Sequence, residues 1–247
     1  MSCRTLRSCR NDKIMKLKIC GMKYEDNITQ VAKLQPDYLG FIFYKNSPRN
    51  FDNIIPQLPD SIKKVGVFVN ASIDYILEKI NTYNLQAVQL HGNESPEYCR
   101  RLRKICHVER SEKSHQKIPA YAGMTETIKV FSIKNEFNFE ALQPYEDVCD
   151  YFLFDTKGEL PGGNGYAFDW SVLNDYPSTK PYFLSGGIGL DEIEKLKIFN
   201  NNEASKYCYA IDVNSKFEIE AGLKKIEQLK EFKNKICHVE RSDSYRK

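Results

Sequence analysis

The stretch VGVFVNASIDYILEKINTYNLQAVQLHGNESPEYCRRL, residues 65–102, decides the fold. It opens on a compact apolar run that stops at Asn70. An amphipathic segment, Ile73–Tyr83, follows, with Ser72 where a helix N-cap stands. A second apolar run, Ala87–Leu90, ends at His91-Gly92, and Ser95-Pro96 opens another helical segment. Strand, helix, strand, helix in that order predicts neighbouring parallel strands covered by helices.

The same unit recurs outward in both directions. Candidate strands are Leu17–Cys20, Tyr38–Phe43, Lys64–Val69, Ala87–Leu90, Ile128–Ile133, Tyr151–Phe154, Tyr182–Leu184 and Tyr209–Val213. They are short apolar runs, as parallel strands buried on both faces require. Helical patterns lie at Glu25–Leu34, Ile73–Tyr83, Pro96–Arg103, Phe137–Tyr145, Leu190–Phe199 and Glu218–Phe232, with two shorter helices near Ile54 and over Phe168–Leu173. Eight such units form either an open doubly wound sheet or a closed barrel. An open sheet gathers its chemistry at one switch point. Here polar or glycine residues follow nearly every strand: Cys20-Gly21, Ser47-Pro48-Arg49, Asn70, His91-Gly92, Asp155, Ser185-Gly186-Gly187 and Asp212-Val213-Asn214-Ser215. A barrel collects its site from the ends of many strands. The expected fold is therefore α/β, a single (βα)₈ TIM barrel.

Three segments stand outside that pattern. KICHVERS occurs at Lys104–Ser111 and again at Lys235–Ser242, with dissimilar flanks. A structural repeat needs several stacked copies, so we read the pair as fragments of an inserted mobile DNA element. The expected organisation is an N-terminal extension, 1–14, a barrel over 15–234, and a C-terminal extension, 235–247. An inserted segment, 105–125, falls in the loop between the fourth helix and the fifth strand, at the bottom of the barrel. The alternative for the repeat, a metal site of Cys106, His107, Cys237 and His238, would have to order two unanchored segments.

Those segments also explain the charge. The 247 residues carry a net +3, but the three appendages hold +6 and the rest of the chain −3. A nucleic-acid partner is therefore not expected. No apolar run is long enough to span a membrane, and the first residues lack the apolar core of a secretory signal. The eight cysteines are scattered without Cys-x-x-Cys spacing, which fits reduced thiols in the cytoplasm and no metal. Whether the protein is a monomer or a homodimer is left open by the sequence.

Several strand-end residues suit chemistry. Cys20 is by default a small buried hydrophobe; near a cationic or phosphate-binding environment it is a general base. Asp155 either caps the loop after it or donates a proton. Gly186 and Gly187 follow the seventh strand, Asn214 and Ser215 the eighth. Barrels commonly bind phosphate through backbone N–H groups of those two loops. Gly162-Gly163-Asn164-Gly165 reads as a lid, since no Lys-Ser/Thr follows to make it a nucleotide loop. Arg49, on a proline-stiffened loop, is either a surface charge or a fork for a substrate carboxylate. His91, the histidine outside the appendages, is a candidate substrate-binding residue, either orienting groups as a hydrogen-bonded structural residue or acting on substrate directly.

Together the segments KICGM (18–22), DYLGFIFYKNSPRNF (37–51), VGVFVN (65–70), VQLHGNES (88–95), FDTKGELPGGNGYAFDW (154–170), SGGI (185–188) and AIDVNSKFE (210–218) resemble the phosphoribosylanthranilate isomerase family. The resemblance implies a cofactor-free Amadori rearrangement of N-(5-phosphoribosyl)anthranilate. It makes Cys20 the general base at the sugar C2 and Asp155 the general acid at the ring oxygen. Arg49 would engage the anthranilate carboxylate, Asp212 the anthranilate amine, and the SGGI and VNS loops the phosphate. Lys216 departs from the pattern, which commonly has glycine there. Two other readings are an indole-glycerol-phosphate synthase-like barrel, which lacks a convincing strand-end lysine here, and a non-catalytic binding barrel, which would need neither Cys20 nor Asp155.

Overall fold

All eight apolar runs form strands. The computed structural model describes residues 15–106, 125–134, 136–156 and 167–237. In it β1 (Lys16–Ile19), β2 (Tyr38–Ile42), β3 (Lys63–Phe68), β4 (Ala87–Leu90), β5 (Glu126–Ile133), β6 (Tyr151–Thr156), β7 (Tyr182–Leu184) and β8 (Cys208–Val213) pair in sequence order. Every pairing is parallel, and β8 returns to β1, closing the barrel. The helices are α1 (Glu25–Ala32), α2 (Ile73–Tyr83), α3 (Pro96–Cys106), α4 (Ile193–Asn200) and α5 (Ile226–Cys237). Ser72 caps α2 as expected, its side chain accepting from the Tyr75 N–H.

Strand alternation sorts the side chains into two cores. One parity (Leu17, Ile19, Leu39, Phe41, Phe152, Phe154) packs outward with the faces of the helices. The other fills the barrel interior: Tyr38, Val65, Ala87, Ile128, Val130, Leu153, Phe183 and Ala210. The floor is aromatic, with Lys16 Nζ donating to the Tyr209 hydroxyl at 2.7 Å. Continuing the interior parity upward along each strand reaches Cys20, Gln89, His91, Asp155, Ser185 and Asp212. The pleat alone therefore aims these side chains at the top of the barrel.

Four expected helices came out differently. The segment near Ile54 is irregular and Ile54 is 77% exposed. Pro56 and Pro59 lack N–H donors and restrict the residues before them, so no helix propagates. The patterns at 137–145 and 168–173 become 3₁₀ turns, Phe139–Tyr145 and Trp170–Asp175, the first with Pro144 inside it. The last pattern splits. Glu218–Glu220 (β9) and Leu223–Lys224 (β10) form an antiparallel hairpin before α5 begins. Gly222, at φ +91°, makes the reversal that no side-chain-bearing residue adopts easily.

The repeat's first residues are ordinary helix. Ile105 and Cys106 complete α3, with Cys106 buried, and Lys235–Cys237 complete α5. The remainder of both copies, the 1–14 extension, the glycine lid at 162–165 and His107 and His238 of the metal alternative lie outside the described residues. Among the described residues no helix is long and apolar enough to cross a membrane.

Candidate active site

A cleft opens at the C-terminal end of the barrel. Its lining includes all nine residues singled out from the sequence: Cys20, Arg49, His91, Asp155, Gly186, Gly187, Asp212, Asn214 and Ser215. Residues from β1, β2, β4, β6, β7, β8 and their loops, far apart in the chain, thus share one space.

Cys20 sits just beyond β1, 4% exposed. Gly40 on β2 makes room for it: a methyl group at that position would lie 2.7 Å from the sulfur. Burial pushes the thiol above its ordinary value, Lys18 pulls it down, and Asp212 pushes it up again. Lys18 is fully buried and pairs with Asp212 at 2.8 Å across the β1–β8 register. Burial pushes the Asp212 carboxyl up against the pull of Lys18, while the Lys18 ammonium is raised by Asp212 and Cys20 despite its own burial. At 2.8 Å in an apolar barrel, the charged pair is the state we assign.

Asp155 faces the cleft from the end of β6. Its Oδ1 accepts the Thr156 N–H at 2.9 Å, and Oδ2 lies 3.3 Å from His91 Nε2. Gln89 Nε2 stands 3.2 Å from His91 Nδ1. If the amide donates there, the neutral imidazole carries its proton on Nε2 and presents it to Asp155. His91 thus stands beside Asp155 in the cleft. The loop bearing His91 is braced by buried Glu94, whose carboxylate accepts from the Asn70 and Gly92 N–H groups and from Lys129 Nζ at 3.1 Å.

Arg49 is not a free surface charge. Its Nε and Nη2 grip the Glu218 carboxylate at 3.0 and 2.7 Å. Glu218 Oε1 also accepts from buried Lys224 Nζ at 2.7 Å, and Lys224 reaches Asn214 Oδ1 at 2.7 Å. Burial favours the neutral acid, yet Arg49 and Lys224 outweigh it and hold Glu218 below the ordinary carboxylate range. At the β7 and β8 loops, Gly186 and Gly187 have φ of +91° and +63° and face Asn214, Ser215 and Lys216 across the cleft. Such turns present successive backbone N–H groups to an anion.

Sequence reading missed Lys18, Glu218 and Lys224. Lys18 carried a signal, a charge inside an apolar strand in phase with Cys20. Glu218 and Lys224 were assigned to a helix, although EIE already alternates at the strand period.

Comparison with known proteins gives a consistent answer. The family model described as N-(5'phosphoribosyl)anthranilate (PRA) isomerase matches residues 17–122 and 108–235. The N-(5'-phosphoribosyl)anthranilate isomerase of Parabacteroides distasonis is 43% identical over 230 residues, covering 91% of this chain and 94% of its own. The crystal structure of phosphoribosyl anthranilate isomerase from Thermotoga maritima superposes with a TM-score of 0.69 at 29% identity, over 90% of this chain and 98% of that one. A structure of the isomerase in complex with reduced 1-(o-carboxyphenylamino)-1-deoxyribulose 5-phosphate matches at TM-score 0.66 and 26% identity, with the same coverage.

Proposed function

This chain belongs to the N-(5'-phosphoribosyl)anthranilate isomerase family, and on that premise we propose how its barrel mouth carries the reaction. The protein is an isomerase of tryptophan biosynthesis that converts N-(5'-phosphoribosyl)anthranilate to 1-(2-carboxyphenylamino)-1-deoxyribulose 5-phosphate. Protonation of the furanose ring oxygen opens the ring, leaving C1 as a Schiff base with the anthranilate nitrogen. Loss of the C2 proton gives an enolamine, which tautomerises to the ketone. C2 is oxidised as C1 is reduced, so one acid and one base suffice.

Asp155 is the acid and Cys20 the base. The observation that carries this assignment is that the two groups face one cleft from β6 and β1. A sugar held between them meets the acid on one side and the thiol on the other. Arg49, anchored by Glu218, has no partner at Nη1 among the described residues and turns it to the anthranilate carboxylate. Asp212 keeps Oδ2, engaged among the described residues by Ser185 Oγ at 3.3 Å, for the anthranilate amine. His91 supports Asp155. The backbone at Gly186, Gly187, Asn214 and Ser215 takes the phosphate, and the exposed Lys216 adds its charge there.

The catalytic barrel is the body of the chain, 15–234, with 1–14, 105–125 and 235–247 appended to it, although the first residues of the latter two, Ile105–Cys106 and Lys235–Cys237, finish α3 and α5. A cytoplasmic setting is supported by the free, buried Cys20, Cys99, Cys106, Cys149 and Cys208.

The test is turnover of phosphoribosylanthranilate, followed by the loss of anthranilate fluorescence. Cys20→Ala and Asp155→Asn should each lower kcat by about 10²-fold or more while the fold is retained. Near-normal turnover in either variant removes that residue from its role.

A further inference from the structure

Two fully buried lysines, Lys18 and Lys224, act by charge on Cys20, and an acid and a base alone leave neither with a task. Lys224 is already bound to Glu218 and Asn214 in the Arg49 anchor. Lys18 is different. It precedes Cys20 by two residues on β1 and therefore points into the barrel on the same face. The interior layer beneath it is apolar: Val65, Val130, Leu153 and Phe183. Packing alone would be served by another apolar residue, because a buried ammonium costs stability unless it is paired. Lys18 is paired with Asp212 Oδ1 at 2.8 Å and, two residues from Cys20 on the same inward face of β1, acts by charge on the thiol.

We propose that Lys18 is the positioning residue of the base: its buried ammonium, shared between the Asp212 carboxylate and the Cys20 sulfur, makes the thiolate available inside the apolar barrel. The charged groups acting on the thiol are Lys18 from β1, Asp212 from β8 and Lys224 from β10. Asp155 and His91 act on Asp212, and Arg49 acts on Lys224. In this set Lys18 favours the thiolate and Asp212 opposes it. When the substrate amine engages Asp212, less of its charge is left for Lys18, and the ammonium turns to the sulfur. Substrate binding thereby arms the base that acts on it.

The inference rests on Cys20 as the base, yet its first test needs no substrate. The ionisation of Cys20 is read as the ultraviolet thiolate absorbance of a protein minus that of the same protein carrying Cys20→Ser. Lys18→Met should shift the titration upward, leaving about tenfold less thiolate at a given pH. Asp212→Asn should shift it downward, with about tenfold more, one pKa unit being a factor of ten. A residue that merely packs cannot move the thiol in opposite directions on removal of either partner. In turnover, Lys18→Met should lose about 10²-fold in kcat with KM little changed, and recover as pH rises. Cys20 ionising at the same pH in both variants, or shifting the same way in both, overturns the proposal. Should Lys18→Met fail to fold, the direction seen in Asp212→Asn decides alone. If the titrations shift as stated but Cys20→Ala still turns over, the base assignment falls and the electrostatic role of Lys18 stands.

Discussion

Glu218→Gln is the substitution whose cost the geometry defines best. Glu218 receives the Arg49 guanidinium at 2.7 and 3.0 Å, the Lys224 ammonium at 2.7 Å and the Gly222 N–H at 3.1 Å. The side chains of Glu218 and Lys224 are 5% and 0% exposed, so water cannot replace what is lost. The amide keeps the shape but removes the charge and turns one acceptor into a donor facing other donors. Breaking a buried pair from one side costs about 3–5 kcal/mol. Arg49 is 15% exposed and recovers part of its share from solvent, which places the loss at about 3 kcal/mol. At about 2–4 °C per kcal/mol for a chain of this size, Tm should fall by about 6–12 °C.

The pH dependence of that loss has a definite sign. Glu218 is held below its ordinary value in the folded protein. Its contribution is complete above its unfolded value of about 4.3 and disappears as pH falls through the folded one. The stability gap between wild type and Glu218→Gln, from urea denaturation, should thus be widest near neutrality and close in acid. KM should rise as well, because Arg49 loses the partner that aims it. In a double-mutant cycle with Lys224→Met, the double variant should lose less than the sum of the singles. A Tm within about 1 °C of wild type, with unchanged KM, would refute the reasoning that this network is a buried, closed unit.

Two smaller perturbations probe the cleft. Gly40→Ala places a methyl group 2.7 Å from the Cys20 sulfur and 3.1 Å from its Cα. It should cost about 1–3 kcal/mol and lower kcat at least tenfold by displacing the thiol, with unaltered kcat as the disproof. Gly186→Ala adds strain at φ +91° and brings Cβ to 2.6 Å from the Thr156 nitrogen, the donor to Asp155. Both KM and kcat should suffer, and values within about twofold of wild type would show that the loop absorbs the change.

The strands were legible because their signal is local. A run such as AVQL is short, apolar and bounded by polar punctuation, and it forms β4 over the same four residues. The glycine and polar residues after each strand were equally plain, and each of the nine site residues lies in the cleft. Local reading failed where two periods competed. FEIEAGLKKIEQLKEF holds enough helix-spaced apolar residues to hide a hairpin, and only Gly222 marks the reversal. It failed again at Ile54, where a plausible apolar pattern ignored the two prolines beside it.

The sequence by itself determined the eight strands, the strand-end positions of Cys20 and Asp155, and the loops that follow β7 and β8, since each depends on residues within a few positions of one another. The tertiary structure alone decided the pairings. Lys18 meets Asp212 across 194 positions because β8 closes on β1, and Arg49 meets Glu218 across 169 because the chain after β8 returns to the loop after β2. Which charges neutralise one another in a buried site depends on that closure. A buried charge is tolerated only beside its partner, and the distance to that partner is a property of the closed barrel, not of the chain.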